Sequence, residues 1–402
     1  MDFARRLVPA AIRRRYAVKF GIALLILGLS VGLIGYGATA GITNQMENRV
    51  EVDHASAASQ EAQSLQMWYQ QNEHTVEMIS RSDVVASDDS AAIEQQFLNW
   101  EEHLDADTFD ISYVDTSTGT VTASTNEELR GAPANEIDNV PAGVYSNATQ
   151  TVPWVSDAYL AEGNLGQNRT VITYVQLAAD NENRAIVYTA DLESYTNKLQ
   201  SGNGTTTMVL DGDDEVMLDN AGYGENHETL GLAYSGNSSL LDAARTQGAT
   251  TQRVSSSSLN FETDAYSFED GEYVTSSARV FGTDWVVVTH EPASQALGFV
   301  TTINQYGIYA TILGVLMIGM VGAVLGRNTA VSIDRLTDKA SQMEEGNLDV
   351  DLETKRIDNI GRLYDGFDSM RDALREQIME AEAAREERSE EHTSELQSLS
   401  HI

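Results

Sequence analysis

The chain has 402 residues, 61 acidic and 25 basic, and its formal net charge of −36 excludes a broad nucleic-acid or anionic-lipid surface, because like charge repels. It contains no cysteine, which excludes disulfides and thiolate metal sites, so a domain facing outward must hold its core by packing alone. Lysine is confined to Lys19, Lys198, Lys339 and Lys355 while Asp and Glu are spread evenly, the composition of a halophile surface rich in hydrated carboxylates, against the plainer reading of an ordinary acidic protein.

Residues 1–19 form a basic N-terminus with Arg5, Arg6, Arg13, Arg14, Arg15 and Lys19. An uncharged apolar run, FGIALLILGLSVGLIGYGATAGI, fills 20–42, and a second, YGIYATILGVLMIGMVGAVL, lies within 298–326. A bilayer core needs about 20 such residues, so both read as transmembrane helices. A cleavable signal peptide, the alternative for the first, has an apolar stretch of only about 7–15 residues. Basic flanks stay in the cytoplasm, which puts both termini inside and residues 43–297 outside.

From 43 to about 100 apolar residues such as Leu65, Trp68, Tyr69, Val76 and Ile79 recur three and four apart with neither Pro nor Gly, predicting a long stalk helix. The texture then changes to short alternating runs, the mark of antiparallel strands. FDISYVDTSTGTVTAST predicts a hairpin around Ser117-Thr118-Gly119, and RTVITYVQLAADNENRAIVYTADL another near Asp180-Asn181, within a distal module at 101–200. TTTMVLDGDDEVMLD and FETDAYSFEDGEYVTSSARVFGTDWVVVTHEP repeat the arrangement in a proximal module at 201–297. This outline resembles the double Cache ectodomain of bacterial and archaeal receptors, and implies an α+β fold with tandem PAS-like modules.

Beyond Arg327, Ile333, Leu336, Ala340 and Met343 step by three and four, up to a Gly346 placed to cap the helix. After a connector, Ile360, Leu363, Phe367, Met370, Leu374 and Ile378 form a second seam. Two short amphipathic helices cannot bury such seams alone, so a homodimer of parallel helices is expected. Residues 327–380 resemble a HAMP domain: Gly346, Leu348 and Leu352 match its connector, and Asp358-Asn359-Ile360-Gly361-Arg362-Leu363 matches the Asp-Glu-Ile-Gly-x-Leu that opens its second helix. The family's glutamate is Asn359 here, and Ser332 precedes Ile333 where a proline is usual. A plain coiled-coil linker would need no glycine-bearing break.

The N-terminal run and the stretch MRDALREQIMEAEAAREER are similar to those of haloarchaeal transducers, the methyl-accepting chemotaxis receptors of salt-loving archaea. The resemblance implies a membrane receptor whose second transmembrane helix drives HAMP, and through it a cytoplasmic histidine kinase and adaptor. Residues 381–402 read as a helical exit and, after about residue 388, a non-native tail, SEEHTSELQSLSHI, so the methylation helices and kinase-contacting tip are expected to be missing.

No catalytic motif is present: there is no phosphate-binding Gly-x-x-x-x-Gly-Lys and no His-Glu-x-x-His, and the seven histidines lack metal-ligand spacing. No enzyme activity, metal or cofactor is therefore expected. Asp211-Gly212-Asp213-Asp214-Glu215 lacks EF-hand spacing and reads as a hairpin turn. Asn147, Asn168, Asn203 and Asn237 open glycosylation sequons.

A small-molecule ligand, or a binding protein carrying one, is expected on the distal module. Amino-acid-binding Cache domains use an Arg-x-Trp-Tyr element, but Asn139–Tyr145 has neither Arg nor Trp. Trp154, Asp157, Tyr159 and Asp191 are the loose matches, with core packing as the other reading of Trp154 and Tyr159, and a helix N-cap as that of Asp191. Three functions remain: a chemotaxis transducer, the front end of a sensor histidine kinase, or a non-sensing membrane adhesin or partner subunit.

Overall fold

The structure, a computed structural model, describes residues 16–104, 107–162, 168–221, 223 and 227–399, the side chains of 16–17, 386–387 and 389–399 excepted. Arg5, Arg6, Arg13, Arg14 and Arg15 lie outside the described residues. The chain divides into a unit of Ile42–Thr302 and a unit built from Met1–Gly41 and Ile303–Ile402.

The first helix, α1 (Tyr16–Ser80), contains the first apolar run and continues as the stalk. Along the stalk Ala58, Ala62, Leu65, Trp68, Asn72, Val76 and Ile79 are buried, one stripe at three- and four-residue steps. The stalk stops short of residue 100. Ser82 Oγ donates to the Ile79 carbonyl, a short α2 (Asp83–Ala86) follows, and Asp89 Oδ1 accepts from the Ala91 and Ala92 amides to open α3 (Ser90–His103). Short polar side chains of this kind compete with the helix for backbone groups, which is why two of them interrupt a continuous apolar period.

The distal sheet contains β1 (Thr108–Asp115), β2 (Thr120–Ser124), β3 (Trp154–Val155), β4 (Tyr159–Glu162), β5 (Asn168–Ala178) and β6 (Asn181–Asp191), with α4 (Ala142–Asn147) between β2 and β3. Its order is β2-β1-β6-β5-β3, and β4 also pairs with β5. The proximal sheet contains β7 (Thr206–Leu210), β8 (Val216–Asp219), β9 (Ala249–Ser255), β10 (Glu272–Arg279) and β11 (Val286–Pro292), with α5 (Ser238–Gln247) before β9. Its order, β8-β7-β11-β10-β9, repeats that of the distal sheet, so the expected α+β tandem of PAS-like modules is what forms.

Both sheets place one face on the stalk. Ile111, Tyr113, Ile172, Tyr174, Ile186 and Tyr188 from the distal sheet and Val209, Leu218, Ala278 and Val287 from the proximal one share a core with the stalk stripe. Strand alternation turns the next residues to the other face. There Val114, Val175 and Val187 meet a cover of Ala134, Ile137, Val140 and Val144, while Met208, Leu210, Val286 and Val288 meet α5 and Tyr266.

In the second unit, the two helical segments carrying the apolar runs have mean hydropathies of 2.2 and 2.3 and leave Leu25, Leu29, Leu33, Leu313, Leu316 and Met320 exposed, as lipid-facing helices do. The helix that holds the second run, α7 (Gly298–Glu344), continues without a break into the first HAMP helix, and α8 (Asn359–Leu399) is the second. Between β11 and α7 lies the one-turn α6 (Ala293–Ala296). The backbone of α8 stays helical through most of the stretch read as a non-native tail.

Arg184 ties the distal sheet to the loop between α2 and α3. Its guanidinium donates to both Asp88 oxygens at 2.7 and 3.0 Å and lies 2.5 Å from Asp115 Oδ2. Both carboxyls are held below the usual range. For Asp88 the main cause is the Arg184 hydrogen bond, and for Asp115 the Ser117 hydroxyl and then Arg184. Asp88 is 42% exposed, so we expect Arg184→Ala to cost only about 1–2 kcal/mol in thermal or denaturant unfolding. Carboxyls with depressed folded values stabilise above their unfolded value, so the difference from the parent should be full at neutral pH and close as pH falls below about 4.

Candidate functional site

Polar side chains collect at one end of the covered face of the distal sheet. Register puts Asp110 of β1 opposite Thr189 of β6, and Thr189 opposite Thr173 of β5. The Thr189 hydroxyl is hydrogen-bonded to Asp110 and lies 3.1 Å from the Thr173 hydroxyl, which in turn lies 2.7 Å from the Tyr159 hydroxyl. Ser156 Oγ accepts from the Thr173 amide at 3.0 Å and donates to the Asp157 carbonyl. Asp110 is only 7% exposed, and its Oδ1 has no hydrogen-bond partner among the described residues. Burial first, then repulsion by Glu101, pushes its carboxyl up to about 7.

The sequence candidates divide between this cluster and other roles. Tyr159 belongs to it; burial pushes its hydroxyl well above the usual range. Trp154 packs beside the cover against Val175 and its neighbours. Asp157 is exposed at the rim and its carbonyl accepts from Asn139 Nδ2. Asp191 stands apart: its Oδ1 accepts from the Ser194 amide at 3.1 Å, in the first turn of the short helix Glu193–Lys198, whose N-cap position is Leu192. Asp110, Thr173 and Thr189 were missed because an alternating strand gives no sign that its outward polar residues will be roofed over. Among the sequons, Asn147, Asn168, Asn203 and Asn237 are all exposed, and Asn237 also caps α5 through the Ser239 amide.

The proximal sheet shows what a filled version of this position looks like. His290 of β11 stands where Thr189 stands in β6, opposite Thr275 of β10 and Thr206 of β7. It is fully buried, 3.2 Å from the Tyr234 hydroxyl, and its ring is packed by Phe261 and Phe268, centroids 6.5 and 5.5 Å away. Burial lowers its imidazole to about 4, so it stays neutral. In the turn before β8, Asp211 Oδ1 accepts from the Asp213 and Glu215 amides, and Arg245 donates to Asp214.

In the HAMP region Leu336, Met343, Val350, Leu352 and Tyr364 form a core with Leu348, Ile360 and Phe367 packed on it. Gly346 ends the first helix at φ +91°, with the Asn347 amide donating to the Gln342 carbonyl. Asp358 Oδ1 accepts from the Ile360 and Gly361 amides. A side chain on Gly361 would collide with the Arg356 carbonyl. Ser332, in the proline position, carries two bonds the sequence did not announce: its Oγ accepts from Arg356 Nη1 at 2.9 Å and its carbonyl from the Tyr364 hydroxyl at 2.9 Å. Ile333 is half-buried, while Leu363, Met370, Leu374 and Ile378 of the second seam are exposed.

Residues 324–376 match the HAMP domain family. The chain is 28% identical to transducer protein Htr6 of Halobacterium salinarum, over 94% of this chain and 45% of that one. It is 31% identical to transducer protein CosT of the same species, over 92% and 46%. It thus spans about half the length of the curated relatives it matches. Among solved structures, the sensory domain of the Campylobacter jejuni chemoreceptor Tlp3 with isoleucine bound aligns at a TM-score of 0.43 and 12% identity, over 64% of this chain and 97% of that one.

Two outcomes follow from these geometries. A buried carboxyl with a raised folded value destabilises the ionised fold, so stability should rise as pH falls from about 7 to about 4. Asp110→Asn should remove that slope and, at about pH 8, stabilise the fold by on the order of 2–4 kcal/mol in calorimetry, given about 1.4 kcal/mol per unit. Gly361→Ala should lift the connector from the second helix, read as faster proteolytic cleavage within residues 347–358, while Gly366→Ala, with open space around it, should leave the cleavage rate unchanged.

Proposed function

We propose that this chain, a membrane protein homologous to the haloarchaeal transducer proteins along most of its length and carrying a HAMP domain, is the sensing and relay half of a chemoreceptor. In this reading a small extracellular ligand, free or delivered by a binding protein, enters the covered face of the distal module. The signal passes through the second transmembrane helix to HAMP and on to a cytoplasmic histidine kinase and adaptor. The observation that carries the sensing step is that the covered face of the distal module buries an acidic side chain, Asp110, with one oxygen unpartnered among the described residues, whereas the proximal one buries a neutral His290 among aromatic rings, its Nδ1 and the Thr275 hydroxyl also unpartnered. Trp154, Asp157 and Tyr159 line or border the distal face, and Asp191 sits at the strand end that leads out of it.

Both termini lie in the cytoplasm, on the strength of the basic residues before the first apolar run. The chain works as a homodimer, in which the stripe of Leu363, Met370, Leu374 and Ile378, with Leu363 48% exposed, finds its cover in the same stripe of a second copy. Residues 43–297 are the sensor and 327–380 the relay. The exposed Asn147, Asn168, Asn203 and Asn237 are the glycosylation sites. No observation favours a histidine-kinase front end or a non-sensing membrane partner.

The test is a thermal-shift screen of the full chain in lipid nanodiscs at molar KCl against amino acids, organic acids, amines and compatible solutes. At least one compound should raise the melting temperature in the parent and fail to do so in Tyr159→Ala. A shift that survives Tyr159→Ala and vanishes in a proximal variant such as Tyr234→Ala would move the sensor to the wrong module, and no shift with any compound would remove the sensing claim.

A further inference from the structure

The distal face carries more information than the presence of a site, because its charges limit what can enter. Asp110 is buried with one oxygen hydrogen-bonded to Thr189 and the other without a partner among the described residues. The charges acting on it belong to Glu101 and Asp138, both of its own sign. A buried anion left without a counter-charge is costly, and an entering cation relieves that cost. On the same face stand the hydroxyls of Thr189, Thr173 and Tyr159, joined to one another at 3.1 and 2.7 Å, a set able to accept N–H bonds from an ammonium group.

The basic residues of the distal module are all engaged elsewhere. Residues 107–198 contain four of them, Arg130, Arg169, Arg184 and Lys198. Each is matched to a carboxylate: Arg130 lies 3.1 Å from Glu94, Arg169 3.3 Å from Glu193, Arg184 2.5 Å from Asp115, and Lys198 3.8 Å from Asp107. None bears on Asp110. A zwitterion brought here would bury its own carboxylate beside Asp110, Glu101 and Asp138 with no cation to receive it. Among the described residues no group of three His, Asp or Glu side chains is arranged to hold a metal ion, so a multivalent metal has no ligand set here.

We infer that the distal module takes a protonated amine without a carboxylate, its ammonium group donating to Asp110 Oδ1 and to the Thr173 and Tyr159 hydroxyls. This rests on the distal face being the sensory site, as proposed above. Asp138 would face the rest of the ligand from the cover and Glu101 from α3, which favours small or multiply charged amines over bulky apolar ones.

The experiment uses three probes of nearly equal size on the full chain in nanodiscs at molar KCl: ethanolamine, glycine and glycolate, with calcium chloride as the inorganic control. Ethanolamine should raise the melting temperature in a saturable way and bind at least tenfold more tightly than glycine. Asp110→Asn, close in shape to the parent residue and expected to fold, should weaken ethanolamine at least tenfold. Glu182→Gln, at an exposed position near the start of β6 and outside the cluster, should leave the preference intact. The inference is overturned if ethanolamine gives no shift, if glycine or glycolate binds as tightly, if calcium alone produces the shift, or if Asp110→Asn binds the amine unchanged. Glycine or glycolate acting through Tyr159 would overturn the amine assignment and leave the distal sensor standing. Silence from all four probes would overturn the amine assignment, while the broad screen described above decides the sensor separately.

Discussion

Everything outside the membrane-spanning unit depends on one stripe of the stalk helix. Two sheets, each with two faces to cover, share Leu65, Trp68, Val76 and Ile79 as the floor for one face apiece. Removal of that apolar surface from water is what makes a cysteine-free domain of this size stable. It also fixes which face remains, and that face must be roofed by connecting segments. In the proximal module the roof is α5 with a cluster of aromatic rings pressed onto His290. In the distal module the roof meets the sheet along Val114, Val175 and Val187, and Asp110, Thr173 and Thr189 are buried on the same face. The same topology thus buries an acidic side chain on the covered face of one module and a neutral histidine among rings on that of the other.

Local signals account for what the sequence disclosed. The apolar runs, the stalk period and the Ser117–Gly119 and Asp180–Asn181 turns depend on neighbours within a few residues, and each is visible in the order of the letters. Gly346 was legible for the same reason, since ending a helix in a left-handed residue is a local act. Non-local consequences stayed hidden. Asp110 looks like any outward polar residue of FDISYVD until the segment around Ile137 and Val140 closes over it. Asp191, which the sequence offered equally as ligand contact and as cap, uses its Oδ1 at the Ser194 amide. The second HAMP seam divides for a similar reason. Ile360 and Phe367 face the first helix together with Tyr364, which the seam omitted, while Leu363 and Met370 do not.

The relay shows how a departure from a family pattern is absorbed. With Ser332 in place of proline, the start of the first HAMP helix gains a hydroxyl, and Arg356 uses it together with Asn328 Oδ1 at 3.3 Å while gripping Asp358. Asp358 in turn caps the second helix, so one guanidinium links the end of the connector to the beginning of both helices. Its hold keeps the Asp358 carboxyl down at about 2. An exposed salt bridge contributes little by itself, but a fork that fixes three backbone segments adds geometry to the charge.

The central proposal, that the covered face of the distal module admits a small solute and that of the proximal module does not, can be tested without knowing the ligand, because the chain has no cysteine. Thr173 and Thr275 occupy equivalent positions, opposite Thr189 and His290, and both are fully buried. Each can be replaced by cysteine in the full chain and its rate of modification by positively and negatively charged thiosulfonates measured at molar salt, where charges at the surface are screened and buried ones much less so. The account predicts that Thr173→Cys reacts, and faster with the cationic reagent, while Thr275→Cys stays protected. Labelling at 275 with protection at 173, or a preference for the anionic reagent at 173, would contradict it.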